Sequence, residues 1–213
     1  MPRPSAHLDK KLIAAARALI PETGFSGLSV REVARRAGVN VGMFHYHFKT
    51  KDAFIQRVLS EVYGDFLESF QEAAQGAGSP RVRLRRVLVA SARFAREHRV
   101  FYTLMIRELL NGQPAMSAFA KVNFPRHVSV VMALMEECRR EGLVRPIPTP
   151  MLCMFAMSTM GLPNVAVTAF ERNGVRAAGG RPLKEFAEML LSDAMIETRA
   201  DMVMAALAVG GRR

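Results

Sequence analysis

Apolar residues recur at three- and four-residue spacing along almost the whole chain, while period-two alternation is weak, and this predicts an all-α protein. Leu8, Leu12, Ala15, Ala16, Leu19 and Ile20 give a first helix over about 7–22 a single apolar stripe. Pro21 falls near its end, where a missing amide costs least, and Gly24 stops it. Ser29 followed by Glu32 reads as a capping box, in which the hydroxyl accepts from the Glu32 amide and the carboxylate reaches back. The second helix turns Val30, Val33, Ala34 and Ala37 inward and ends at Gly38 after about two turns. Asn40 caps a third short helix over 41–48, and Thr50 caps a fourth that runs past Phe54, Val58, Val62, Phe66 and Phe70 to the break Gly76-Ala77-Gly78-Ser79-Pro80. Further helices are expected near 81–98, 100–111, 115–142, 150–171 and 183–208, with Gly161 and Pro163 kinking the fourth of these rather than ending it. No internal repeat is visible.

Two short helices joined by a tight turn at Gly38, with Val33, Ala37, Val39, Phe44 and Phe48 between them, have the anatomy of a helix-turn-helix. A major groove admits one helix, and a second must brace that reader against the backbone. Charge fits the same picture. The 213 residues carry a formal net charge of +11, and residues 1–60 hold ten basic groups against four acidic ones. An excess of that kind points to an anionic partner such as nucleic acid.

Residues 8–63 resemble the DNA-binding module of the tetracycline-repressor (TetR) family. The resemblance is carried by Gly24-Phe25, Leu28-Ser29-Val30-Arg31-Glu32-Val33-Ala34, Ala37-Gly38-Val39, Phe44-His45-Tyr46-His47-Phe48 and Thr50-Lys51-Asp52-Ala53-Phe54. It implies that the third helix enters the major groove, with Val41, Gly42, Met43, Tyr46 and His47 facing base edges and Asn40 beside them. It places His45, where the family usually has a tyrosine, near the backbone, and Lys51 on a phosphate at a helix N-terminus. Ser29 and Arg31 would contact the backbone, Arg31 within reach of a base. Val41 and Met43 stand where many relatives have polar residues; they can meet a thymine methyl but form no bidentate hydrogen bonds. The resemblance further implies a homodimer on a near-palindromic double-stranded operator, and a regulator in the cytoplasm that represses by occlusion. The division expected is a DNA-binding domain over 6–66 and an all-helical effector-binding and dimerisation domain over 67–213.

Residues 147–170 hold no charged group and are long enough to cross a bilayer. Ser158, Thr159, Gly161, Pro163, Asn164 and Thr168 within them favour a helix buried by protein at a subunit interface, without a membrane. The helices near 150–171 and 183–208 are the expected dimer surface. Phe94, His98, Phe101 and Met105, Phe124 and His127, and Met154 among the methionines outline a candidate pocket for a small apolar or aromatic effector, though apolar helix stripes are commonly plain core. Cys138 and Cys153 are too few for a disulfide framework and fit a reducing compartment; a redox pair is the alternative to two buried thiols. His45 and His47, two apart on a helix, cannot share a metal ion. No Walker loop, G-x-S-x-G or H-E-x-x-H motif occurs, so no enzyme, metal or cofactor is expected. Two alternatives stay open: a regulator that activates without a small ligand, and an effector-binding or catalytic helical protein with a vestigial helix-turn-helix.

Overall fold

The computed structural model describes residues 7–209. Arg3 of the basic N-terminus and the start of the expected head at residue 6 lie outside them. The described chain forms ten helices: α1 (Leu8–Thr23), α2 (Val30–Ala37), α3 (Val41–Phe48), α4 (Lys51–Gln75), α5 (Pro80–Glu97), α6 (Arg99–Leu110), α7 (Pro114–Arg140), α8 (Thr149–Arg172), α9 (Leu183–Leu190) and α10 (Asp193–Leu207). An all-α fold is what the periodicity called for.

Two differences have local causes. The last expected helix is broken at Leu191 and Ser192, because the Ser192 hydroxyl accepts from the Met195 amide at 3.2 Å and so starts α10 afresh. Between α8 and α9 the strands β1 (Ala177–Ala178) and β2 (Arg181–Pro182) pair antiparallel. Their two-residue turn is Gly179-Gly180, both at positive φ, the conformation that matches the twist of a tight hairpin.

The chain divides into two compact units. One comprises the residues up to Gly64 together with Leu104–Val122; the other comprises Asp65–Thr103 and the residues from Asn123 on. The expected head of 6–66 thus matches the first unit only in part, since that unit also takes in the end of α6 and the start of α7. Its core is Leu12, Ile13, Ala16, Ile20, Phe25, Leu28, Val33, Phe44, Phe54, Ile55 and Val58, all buried. Tyr63 meets Phe119 edge-on at 5.6 Å between ring centroids.

In the second unit α5 packs against both α8 and α10. Leu84, Val87, Leu88, Ala156, Met160, Val167, Ile196, Ala200 and Val203 are buried there. At the edge of this core, Arg85 is paired with Glu197 and Asp201, and Arg93 with Asp193 and Glu197. Such pairs fix register more than they add stability, because most of these groups are solvated. α8 is long and apolar enough to cross a membrane by length and composition, yet it is a packing partner of α5, α9 and α10. It is not buried on all sides within one chain. Met151, Met154, Phe155 and Leu162 are exposed on it, as is Met202 on α10.

Cys138 and Cys153 are both buried and free, and burial pushes each thiol above its ordinary range. A buried neutral thiol is a poor nucleophile, so neither is set up as a redox centre.

Candidate nucleic-acid interface and effector cluster

Local chemistry sets the position of α3. The Ser29 hydroxyl accepts from the Glu32 amide at 3.4 Å, which starts α2. The reciprocal half of the expected capping box is replaced: the Glu32 carboxylate turns to Arg35 at 2.8 and 2.5 Å. That pairing holds the Glu32 carboxyl below its ordinary range through the Arg35 hydrogen bond. Gly38 ends α2 at φ 67°, in the left-handed region, and the Val39 amide donates back to the Ala34 carbonyl at 3.0 Å. Two residues after Gly38, Asn40 Oδ1 accepts from the Gly42 amide at 2.7 Å and opens α3. Thr50 Oγ1 then accepts from Ala53 at 3.1 Å at the head of α4.

One face of α3 anchors it. Phe44 is fully buried, edge-on to Phe54 at 4.9 Å and 5.6 Å from Phe48. The opposite face is presented to solvent. Tyr46 is 78% exposed, Gly42 and His45 are exposed, and Val41, Met43 and His47 are half-buried beside them. The ring of Tyr46 stands edge-on to His47 at 5.4 Å. Ser29, Arg31 and Asn40 are also exposed. The DNA-facing set expected from the sequence therefore lies together on the solvent side of α2 and α3, with Phe44 as its buried counterweight.

Lys51 carries a bond the sequence did not suggest. Its ammonium donates to the Ser26 carbonyl at 2.6 Å, pinning the turn between α1 and α2. The Ser26 hydroxyl in turn donates to Glu108 at 2.5 Å. Glu108 lies on α6 at 3% exposure and is also paired with Arg107 at 2.7 Å. Burial works against its charge, but the Ser26 and Arg107 bonds prevail and hold the carboxyl below the usual range. Gly24 is needed for this approach: it sits at φ 70°, and a Cβ there would stand 2.5 Å from an Arg107 nitrogen. Nothing in local sequence could have revealed the link, because Ser26 and Glu108 are 82 residues apart.

An ammonium has three protons, so Lys51 can hold Ser26 and still reach a phosphate. Replacing it by alanine is expected to weaken binding to every duplex and to lower the salt slope of log K by about one. Lost affinity with an unchanged slope would assign Lys51 to pinning the turn alone.

In the second unit the structure gathers Phe94, His98, Phe124 and His127 with two residues of α4. Phe66 lies 4.7 Å from Phe94, 5.1 Å from Phe70 and 5.6 Å from His127; His98 is 4.5 Å from Phe94, and His127 is 5.8 Å from Phe124. Phe101 is half-buried and belongs to the same unit, Met105 falls in the first unit, and Met154 is 72% exposed, away from any enclosed cluster. Among the described residues no three His, Cys, Asp or Glu side chains gather as a metal site.

Burial lowers His127 from its ordinary 6.5 to about 4. The unfolded chain then binds the proton more readily, so this contribution to stability is full above pH 6.5 and is lost as the pH falls toward 4. Unfolding in urea is expected to show a loss of about 2 kcal/mol between pH 7 and pH 5 that a His127→Gln variant lacks. Equal slopes in the two proteins would show that His127 is solvated.

Residues 12–58 match the model of the bacterial regulatory proteins of the tetR family. The chain is 28% identical over 142 residues to the probable HTH-type transcriptional regulator YttP of Bacillus subtilis, spanning 65% of this chain and 69% of that one. For further curated relatives the aligned part is less than half of their length. Among solved structures, the transcriptional regulator FadR of Bacillus subtilis in complex with stearoyl-CoA superposes with a TM-score of 0.73 at 14% identity, over 93% of this chain and 98% of that one. The ketosteroid regulator KstR2 of Mycobacterium tuberculosis gives 0.67 at 17%, over 95% of each chain. At such identities these two likenesses speak for the fold alone.

Proposed function

We propose, from the match of residues 12–58 to the tetR family of regulatory proteins, that the chain acts as a homodimeric, cytoplasmic repressor whose α3 reads a near-palindromic operator and which a small effector releases. The observation that carries this reading is the two-sided α3, clamped through Phe44 and open to solvent through Tyr46. Such a helix is rigid enough to be placed in a major groove and bare enough to touch it. Tyr46 and His47 would supply hydrogen bonds to base edges, Val41 and Met43 apolar contact with thymine, and Ser29, Arg31, Asn40, His45 and Lys51 the backbone contacts that set register. With few strong donors on the reader, DNA shape would carry part of the specificity.

Two copies would pair through α8 and α9–α10: Met151, Met154, Phe155 and Leu162 are exposed on the uncharged stretch of α8, and Met202 is exposed on α10. A two-fold dimer presents two readers to half-sites about 34 Å apart. The effector, apolar or aromatic, would bind in the second unit near the Phe66–Phe94–His127 cluster. It releases the operator only insofar as it binds better to a head spacing that misfits successive grooves.

Selection of bound fragments from a random duplex library at two salt concentrations tests the reading. Enrichment of a palindrome is the expected result. Binding that enriches no sequence and vanishes with salt would reduce the head to a polyanion binder.

A further inference from the structure

A buried amide that finds no hydrogen-bonding partner destabilises the fold that holds it, so its presence needs a reason. Asn164, midway along α8, is wholly buried, and neither its Oδ1 nor its Nδ2 has a partner. Its surroundings follow from the helix geometry. Three residues earlier on α8 is Gly161, where a Cβ would stand 3.1 Å from the Tyr102 hydroxyl of α6. Four residues later is Thr168, also fully buried, whose Oγ1 accepts from Arg99 at 3.4 Å. Steps of three and four keep Gly161, Asn164 and Thr168 on one face of α8, and a step of three puts Arg99 and Tyr102 on one face of α6. The Asn164 amide therefore lies at the level between these two contacts, on the side of α8 that α6 approaches.

We propose that Asn164 is the polar anchor of an effector site, and that it holds the uncharged head group of an otherwise apolar ligand, one that both donates and accepts hydrogen bonds, such as a carboxamide or an alcohol. The proposal rests on reading this unit as the effector domain. The charge pattern decides the class. Arg99, the cation at this level, is engaged by Glu171 through both of its terminal nitrogens. An anionic head would find no unengaged cation there among these residues, and a cationic one no unengaged acid. Burial also raises the Tyr102 phenol above its ordinary range, so the neighbouring hydroxyl stays neutral. A primary amide offers one acceptor and two donors in a plane, the complement of a carboxamide and enough for an alcohol.

Four aromatic probes of like size test this with the full chain: benzamide, benzyl alcohol, benzoate and toluene, each at about 4 mM, read by thermal unfolding. Benzamide and benzyl alcohol are expected to raise Tm by about 3 °C, and benzoate and toluene by less than about 1 °C. The variant Asn164→Leu, which removes both unpartnered atoms at similar volume, is expected to unfold at an equal or higher temperature while losing the benzamide shift. Should that variant fail to fold, the side-chain amide signals of asparagine-labelled parent protein decide, since the Asn164 pair is expected to move with benzamide and not with toluene. An equal response to all four probes, a larger one to benzoate, no response to any, or a shift retained in Asn164→Leu would overturn the proposal and leave a hydrated structural asparagine. The readout uses no DNA, so its failure is separate from a failure of operator binding.

Discussion

Phe44→Ala is expected to cost the first unit about 3–5 kcal/mol and to abolish operator binding. Phe44 is fully buried at the centre of α3, in ring contact with Phe48 and Phe54. α3 has only eight residues, too few to be helical alone, so its conformation depends on that one side chain seated against α4. Truncation leaves a cavity and removes the aromatic contacts together. Since domains are stable by about 5–15 kcal/mol, the loss takes a large share of what the unit has. Urea unfolding of parent and variant checks the magnitude, and a duplex-binding titration checks the consequence. Phe44→Leu should lose far less, about 1.5 kcal/mol or below. A loss under about 1 kcal/mol for the alanine variant would mean that α3 is held by something other than this clamp.

Met154→Glu with Leu162→Glu is expected to yield a folded monomer that binds a half-site but holds the full operator at least about 100-fold more weakly. Both side chains are largely exposed in the single chain, at 72% and 62%, so charge there does not disturb the core. In a dimer built on α8 the same carboxylates would be desolvated against each other, which an interface does not tolerate. The DNA effect follows from linkage: a second head tethered to the first binds at an effective concentration in the millimolar range, and a monomer forfeits it. Light scattering at micromolar concentration measures the first outcome and titration of full and half operators the second. A variant that stays dimeric would move the interface off this face of α8.

The head was legible in the sequence because its determinants are local. Ser29, Gly38, Asn40 and Thr50 each act within three residues, through caps and a left-handed turn. Phe44 and Phe54 fall on the apolar stripes that periodicity reveals. Where a local signal had a stronger competitor it misled: Glu32 was expected to close a capping box and instead pairs with Arg35, because an arginine one turn away offers it two charge-assisted bonds. The break between α9 and α10 was missed for a related reason, since Ser192 lies within an apolar pattern that continues on both sides.

By itself, then, the sequence determined the helical fold, the positions of the short helices α2 and α3, and the face of α3 left open to solvent, all of which depend on spacings of three to seven residues. Only the tertiary structure decided that the first unit takes in the end of α6, that Lys51 and Glu108 meet across Ser26, and that Asn164 is sealed in with no partner. These facts depend on residues tens of positions apart being brought into contact, and on which polar atoms are left over once the apolar faces have closed. A hydrophobic pattern states which faces must close, but not which polar groups they will trap.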